Sequence, residues 1–155
     1  MGETFAGGLD GAALRMAIVV SRFREEITSH MAGRARATLA EHGVAEADVD
    51  VAYVPGAFEL PFAARRLAES GRYQAVICIG AVIKGETSHD VYISTQVALG
   101  IGEVARDTGV PVVFGVITPN TYEQAVERAE RQDKGREAAL TALEMANLTR
   151  LLRPD

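Results

Sequence analysis

The chain has 155 residues, 48% of them hydrophobic and 24% charged, with a formal net charge of −5. That balance suits one globular domain with a substantial core and argues against a disordered chain. Acidic overall, with Lys and Arg dispersed, it also argues against a nucleic-acid partner. No apolar run approaches the roughly 20 residues of a membrane span, and Met1–Asp10 lack the basic start and apolar stretch of a signal peptide. The expectation is a single domain over 1–155, cytoplasmic, with no membrane partner.

Met1 to Ala13 is glycine-rich and is predicted to be loosely held unless a neighbouring subunit orders it. Arg15–Ser21 reads as a strand. Ile27, Met31, Ala35 and Leu39 then recur every four residues, the stripe of an amphipathic helix, with Gly43 as its stop. Asp48–Val54 is a second strand. Phe58 with Phe62, and Ala63 with Leu67, fall one helical turn apart, which predicts a helix that buries Phe58 and stops near Gly71. Ala75–Ile83 is almost wholly apolar, as a strand covered on both faces must be. A helix is predicted over Ser88–Thr108, ended by Gly109, then a strand over Val110–Thr118. Helices over Thr121–Arg131 and Gly135–Leu152 follow, the last with Ala139, Leu143 and Ala146 on one side.

Strands alternating with helices imply parallel strands and right-handed crossovers. The predicted fold class is α/β: a three-layer α/β/α sandwich on a four-stranded parallel sheet, flavodoxin-like in outline. The lone cysteine, Cys78, lies inside the apolar third strand and reads as a small buried hydrophobe. His30, His42 and His89 lack metal-site spacing, so no metal is expected.

In open parallel sheets, ligands bind beyond the carboxyl ends of the strands. Those ends are Ser21-Arg22-Phe23-Arg24, Pro55-Gly56-Ala57-Phe58-Glu59, Ala81-Val82-Ile83-Lys84-Gly85-Glu86-Thr87-Ser88-His89 and Thr118-Pro119-Asn120. In the third, Gly85 permits close approach to a ligand. Thr87 or Ser88 can cap the next helix, whose free N–H groups suit an anion, with Lys84 adding positive charge. On spacing alone this is a phosphate pocket or an ordinary glycine turn. His89 is a proton shuttle or a solvated residue, and Phe23 stacks on a planar ligand or plugs the core. Arg128 and Arg131, three apart on one helical face, solvate the surface unless the fold brings them to the pocket.

Taken together, these stretches resemble the lumazine synthase family from about Met16 to Leu152. The resemblance rests on Val20-Ser21-Arg22-Phe23, on Val54-Pro55-Gly56-Ala57-Phe58-Glu59-Leu60-Pro61, and on Gly80-Ala81-Val82-Ile83-Lys84-Gly85-Glu86-Thr87 leading to His89. Phe114-Gly115-Val116-Ile117-Thr118, Glu127-Arg128-Ala129 and Asp133-Lys134-Gly135 extend it. It implies condensation of 5-amino-6-(D-ribitylamino)uracil with 3,4-dihydroxy-2-butanone 4-phosphate to 6,7-dimethyl-8-ribityllumazine, with release of phosphate and water and no metal or organic cofactor. It implies that Phe23 stacks on the pyrimidine and that Ala57, Phe58 and Glu59 hold the ribityl chain. Ala81, Val82 and Ile83 would offer backbone groups to the pyrimidine edge. Glu86 and Thr87 would bind the phosphorylated ketone, with Arg128 on its phosphate. His89 would be the proton donor or shuttle, Phe114 would enter from a neighbouring subunit, and Lys134 would lie near the pyrimidine. The family forms pentamers or larger assemblies of them, and an association with riboflavin synthase is implied.

Three departures from the family pattern stand out. Arg24 replaces a common asparagine near the ribityl chain. Asp90-Val91-Tyr92 alters the face beside His89. Only five residues separate Arg128 from Lys134, a short connection that should change how the last helix leaves its predecessor. Two other classes compete: a binding or shell protein without turnover, and a flavodoxin-like or receiver-like signalling domain. A receiver needs acids where this chain has Ser21-Arg22, and a flavodoxin needs a hydroxyl- and glycine-rich loop where it has Arg22-Phe23-Arg24-Glu25.

Overall fold

In the computed structural model, which describes residues 1–154, four parallel strands lie in the order β2-β1-β3-β4. They are β1 (Met16–Ser21), β2 (Val49–Val54), β3 (Ala75–Ala81) and β4 (Val112–Ile117). The helices are α1 (Glu25–Glu41), α2 (Leu60–Glu69), α3 (His89–Thr108), α4 (Tyr122–Glu130) and α5 (Lys134–Leu151). The predicted α/β class and parallel four-stranded sheet are therefore found. Asp155, the last residue of the expected 1–155 domain, lies outside the described residues.

Side-chain alternation along the central strands builds both cores. Met16, Ile18 and Val20 point to one face with Ile77 and Ile79, where Ile27, Met31 and Leu39 of α1 and Ala139, Leu143 and Ala146 of α5 cover them. Ala17, Val19, Val76 and Cys78 point to the other, beneath Leu60 and Ala64 of α2 and Val97, Ile101 and Val104 of α3. Period two on each strand thus separates two helix layers. β1 and β3 are buried along their whole length, as their continuous apolar runs predict. Burial pushes the Cys78 thiol up to about 12, which leaves it an inert core side chain.

Gly43, Gly71 and Gly109 adopt positive φ where the first three helices stop. β3 ends two residues before the predicted Ile83, because the chain there turns out of the ladder toward α3.

One expectation is corrected. The α2 stripe that faces the sheet is Leu60, Ala64 and Ala68, not the Phe58–Phe62 pair. Phe58 and Phe62 are 61% and 75% exposed. Small alanines let α2 sit close to the sheet, and that turns both phenylalanines outward. The glycine-rich N-terminal segment lies against α5. The Asn147 side-chain amide of α5 donates to the carbonyls of Gly8 (2.9 Å) and Asp10 (3.0 Å), holding it on its own chain. Among the described residues no helix is long and apolar enough to cross a membrane.

Candidate active site

The carboxyl ends of β1, β2 and β3 open into a cavity of about 790 Å³. Phe23, Ala57, Phe58, Glu59, Ala81, Val82, Ile83, Gly85, Thr87 and His89 all line it. The strand-end rule therefore brings together side chains spread over more than sixty residues of sequence. Phe23 is 65% exposed, so it presents a ring rather than plugging the core. Its loop is fixed by two backbone bonds to the next strand end, from Arg22 N–H to the Val54 carbonyl (2.8 Å) and from Phe23 N–H to the Pro55 carbonyl (3.0 Å).

The β3 end offers backbone groups selectively. Val82 N–H donates to the Ile117 carbonyl (2.9 Å) and Lys84 N–H to the Pro119 carbonyl (3.0 Å). Alternation then turns Ile83 toward the β1 side, where the β1–β3 pairing has already stopped at Val20 and Ile79. Ile83 N–H has no backbone partner among the described residues, and Ile83 lines the cavity. Val82 N–H, by contrast, is already engaged with β4 and is not free for a ligand.

His89 is the first residue of α3 and is exposed. Its backbone N–H donates to Thr87 Oγ1 at 3.3 Å, so Thr87, not Ser88, caps this helix start. Gly85, Thr87 and His89 line one end of the cavity. His89 N–H is held by Thr87 and Val91 N–H by the Ser88 carbonyl at 3.1 Å, which leaves Asp90 N–H without a partner among the described residues at a helix start whose dipole favours an anion. Lys84 and Glu86 are exposed and do not line the cavity.

Tyr92, noted as part of the altered face beside His89, also lines the cavity, together with Ile93 and Gln96, which sequence reasoning did not place. They follow His89 at steps of three, four and seven, one face of α3, so helical spacing from His89 would have found them. Arg24, noted only as a departure, lines it as well.

Phe114, Arg128 and Lys134 are elsewhere. They line a second hollow of about 850 Å³ along the β4 edge, with Thr118, Gln132 and Glu137. The fourth strand end therefore does not join the first three: Thr118 faces the second hollow, and Pro119 and Asn120 line neither. The reason is sheet order. β4 is an edge strand next to β3, and α4 and α5 carry Arg128 and Lys134 around its open side. Arg128 is half-buried and enters none of the described ion pairs, whereas Arg131 is solvent-facing and reaches Glu127 at 3.8 Å. The two arginines thus do not act as a pair.

The short α4–α5 connection is held by Asp133. It sits in the left-handed region (φ 50), caps α5 by accepting from Arg136 N–H, and receives Arg34 Nε at 3.1 and 3.2 Å. Burial pushes its carboxyl up, but the Arg34 hydrogen bond and charge prevail and hold it below the usual aspartate range. Lys134, next along, pairs with Glu137 at 2.9 Å. A lowered carboxylate stabilises the fold above its unfolded value and loses that contribution as pH falls through the folded one. Asp133→Asn keeps the cap but not the charge, so its melting temperature should fall by a few degrees at neutral pH. Thermal melts across an acid series should show that gap closing below the ordinary aspartate value of about 3.9; a gap independent of pH would contradict the ion pair's role.

A model of the family described as 6,7-dimethyl-8-ribityllumazine synthase matches residues 13–150. The chain belongs to this family. It is accordingly a transferase of riboflavin biosynthesis that acts on small molecules. The match begins at Ala13, just before β1, and ends at Arg150 in the last turn of α5, so it contains both hollows and every residue placed in them.

Proposed function

We propose that the chain condenses 5-amino-6-(D-ribitylamino)uracil with 3,4-dihydroxy-2-butanone 4-phosphate, releasing phosphate and water and forming 6,7-dimethyl-8-ribityllumazine, in the cytoplasm and without a cofactor. The observation that carries this reading is the meeting of Phe23, Glu59, Ile83, Thr87 and His89 around one cavity. A ring stacks on Phe23 with its polar edge on the free Ile83 N–H. The ribityl hydroxyls donate to the Glu59 carboxylate. The phosphorylated ketone lies at the α3 start, where the positive end of the helix dipole and the unengaged Asp90 N–H receive its anionic end beside the Thr87 turn.

The chemistry asks for little beyond placement and proton transfer. The uracil amine attacks the ketone carbon and water leaves to give an imine; phosphate is eliminated to leave an enol that tautomerises to a ketone; and the second amine attacks that carbonyl, closing the ring with loss of a second water. Holding the two substrates in register converts a bimolecular encounter into an internal one. His89 lies beside the reacting carbons and moves the protons.

The reading also requires a second copy. Phe114 and the unpaired Arg128 lie along the β4 edge, so they complete a cavity only if that edge meets the Phe23 cavity of a neighbour. Two different faces of one chain meeting in this way give a head-to-tail contact, and such contacts close into rings, here a pentamer or an assembly of pentamers. Exposed apolar side chains support such burial: Phe62 on α2, and Val91, Tyr92 and Leu99 on α3.

The test is to mix the protein with both substrates and follow lumazine absorbance and phosphate release against the uncatalysed condensation. Both signals should rise together, far above the background. A rate equal to background would defeat the reading and leave a binding or shell protein.

A further inference from the structure

The cavity wall beside Phe23 carries a cation that is held by aromatic rings rather than by an acid. Arg24 occupies the left-handed region (φ 61, ψ 49) at the start of α1, a conformation that a β-carbon disfavours. Its guanidinium carbon lies 5.5 Å from the Phe23 ring centroid and 5.8 Å from that of Tyr122, both within cation–π reach. None of the described ion pairs includes it. Glu26 on the same helix instead accepts from the Tyr122 hydroxyl at 3.3 Å. A permanent charge therefore stands unneutralised on a wall shared with Phe23 and Glu59.

We propose that Arg24 is a specificity-determining residue that makes the site favour the deprotonated, anionic form of the imide-bearing heterocycle stacked on Phe23. This rests on the reading above that Phe23 is the stacking ring. A pyrimidinedione, or the fused ring made from it, can lose a proton and spread the negative charge over its ring system. Stacked on the free face of Phe23, it lies roughly 9 Å from the guanidinium once an aromatic stacking distance is added. At an effective dielectric of about 20 to 40, a unit charge at that distance moves the ligand's ionisation by roughly half to one and a half pH units.

Other charged and titratable groups face the same space. Glu59, His89 and Asp90 line the cavity, Glu25 and Glu26 share the first turn of α1, and Tyr122 and Glu130 of α4 flank the back of the turn. The carboxylates push the ligand the opposite way. Their contribution is common to variants that differ only at position 24, so a comparison of such variants isolates the arginine.

The experiment titrates 6,7-dimethyl-8-ribityllumazine by absorbance while it is bound to the whole protein, Arg24→Asn and Arg24→Lys. Asparagine tolerates the left-handed backbone, so the turn is kept, and lysine keeps the charge. The bound ligand should ionise roughly half to one and a half pH units higher in Arg24→Asn than in the parent, with Arg24→Lys close to the parent. Affinity for the anion should fall roughly 3- to 30-fold in Arg24→Asn with little change for the neutral form. Equal ionisation in all three proteins would overturn the proposal alone, as would an equal loss of affinity for both ligand forms, which would mark Arg24 as a prop for the Phe23 ring. Failure of the parent protein to bind the heterocycle at all would overturn the stacking reading and this proposal together.

Discussion

Gly135→Ala should destabilise the fold by at least about 2 kcal/mol, although alanine is the better helix former. Gly135 is buried in the first turn of α5, against α1. A β-carbon there would lie 2.1 Å from the Met31 carbonyl oxygen and 2.9 Å from its carbon. The obstacle is the backbone of a packed helix, not the end of a flexible side chain, so relief requires α1 and α5 to separate. The roughly 1 kcal/mol gained from helix propensity is outweighed by opening a layer that holds Met31, Leu39 and Leu143. Thermal melts should fall by roughly 5–10 °C for a chain of this size. Gly33 supplies the opposite sign: it lies within α1 with nothing within 4 Å of an added β-carbon, so Gly33→Ala should stabilise by about 0.5–1 kcal/mol. Equal melting of the two variants would show that the close approach of α1 and α5 carries no energy.

The order of elements was legible because two periods were legible. Met31, Ala35 and Leu39 repeat at helical spacing and are fully buried, and the unbroken run at Ala75 predicts a strand covered on both sides. α2 was misread because four apolar side chains at helical spacing do not say which face turns inward. The inward face is the one with the smallest side chains, Ala64 and Ala68, and only the distance to the sheet decides that. The site was legible where it is built from strand ends of β1, β2 and β3. Arg24 was legible as a strand-end residue but not in its conformation or partner, because a left-handed turn at an arginine has no signature in residue type and its contact with the Tyr122 ring joins the start of α1 to α4, nearly a hundred residues apart. Nor does any local pattern put Arg128 on the far side of β4; that follows from β4 being an edge strand, which is a property of the whole sheet.

That separation generates the largest functional effect. If the Phe23 cavity of one chain is completed by the β4 edge of the next, defects on the two sides should complement one another. Arg128→Ala removes an unpaired cation, and losing a charge-assisted contact to phosphate should lower kcat/KM for the butanone phosphate roughly 10- to 100-fold, while titrated affinity for the pyrimidine changes little. A chain carrying both Phe23→Ala and His89→Ala loses the stacking ring and the proton carrier but keeps an intact β4 edge. Each variant assembly alone should be nearly inactive with both substrates at limiting concentration. Co-expressed in equal amounts, the two chains should form mixed rings in which roughly a quarter of the junctions pair an intact cavity with an intact edge. Activity should therefore return to about that fraction of the parent rate. A site contained in one chain predicts no recovery at any mixing ratio, since every chain would carry a damaged site. Recovery thus distinguishes a shared site from a self-sufficient one without reference to the number of subunits. Its absence, in mixed assemblies verified by mass, would mean that Arg128 acts within its own chain.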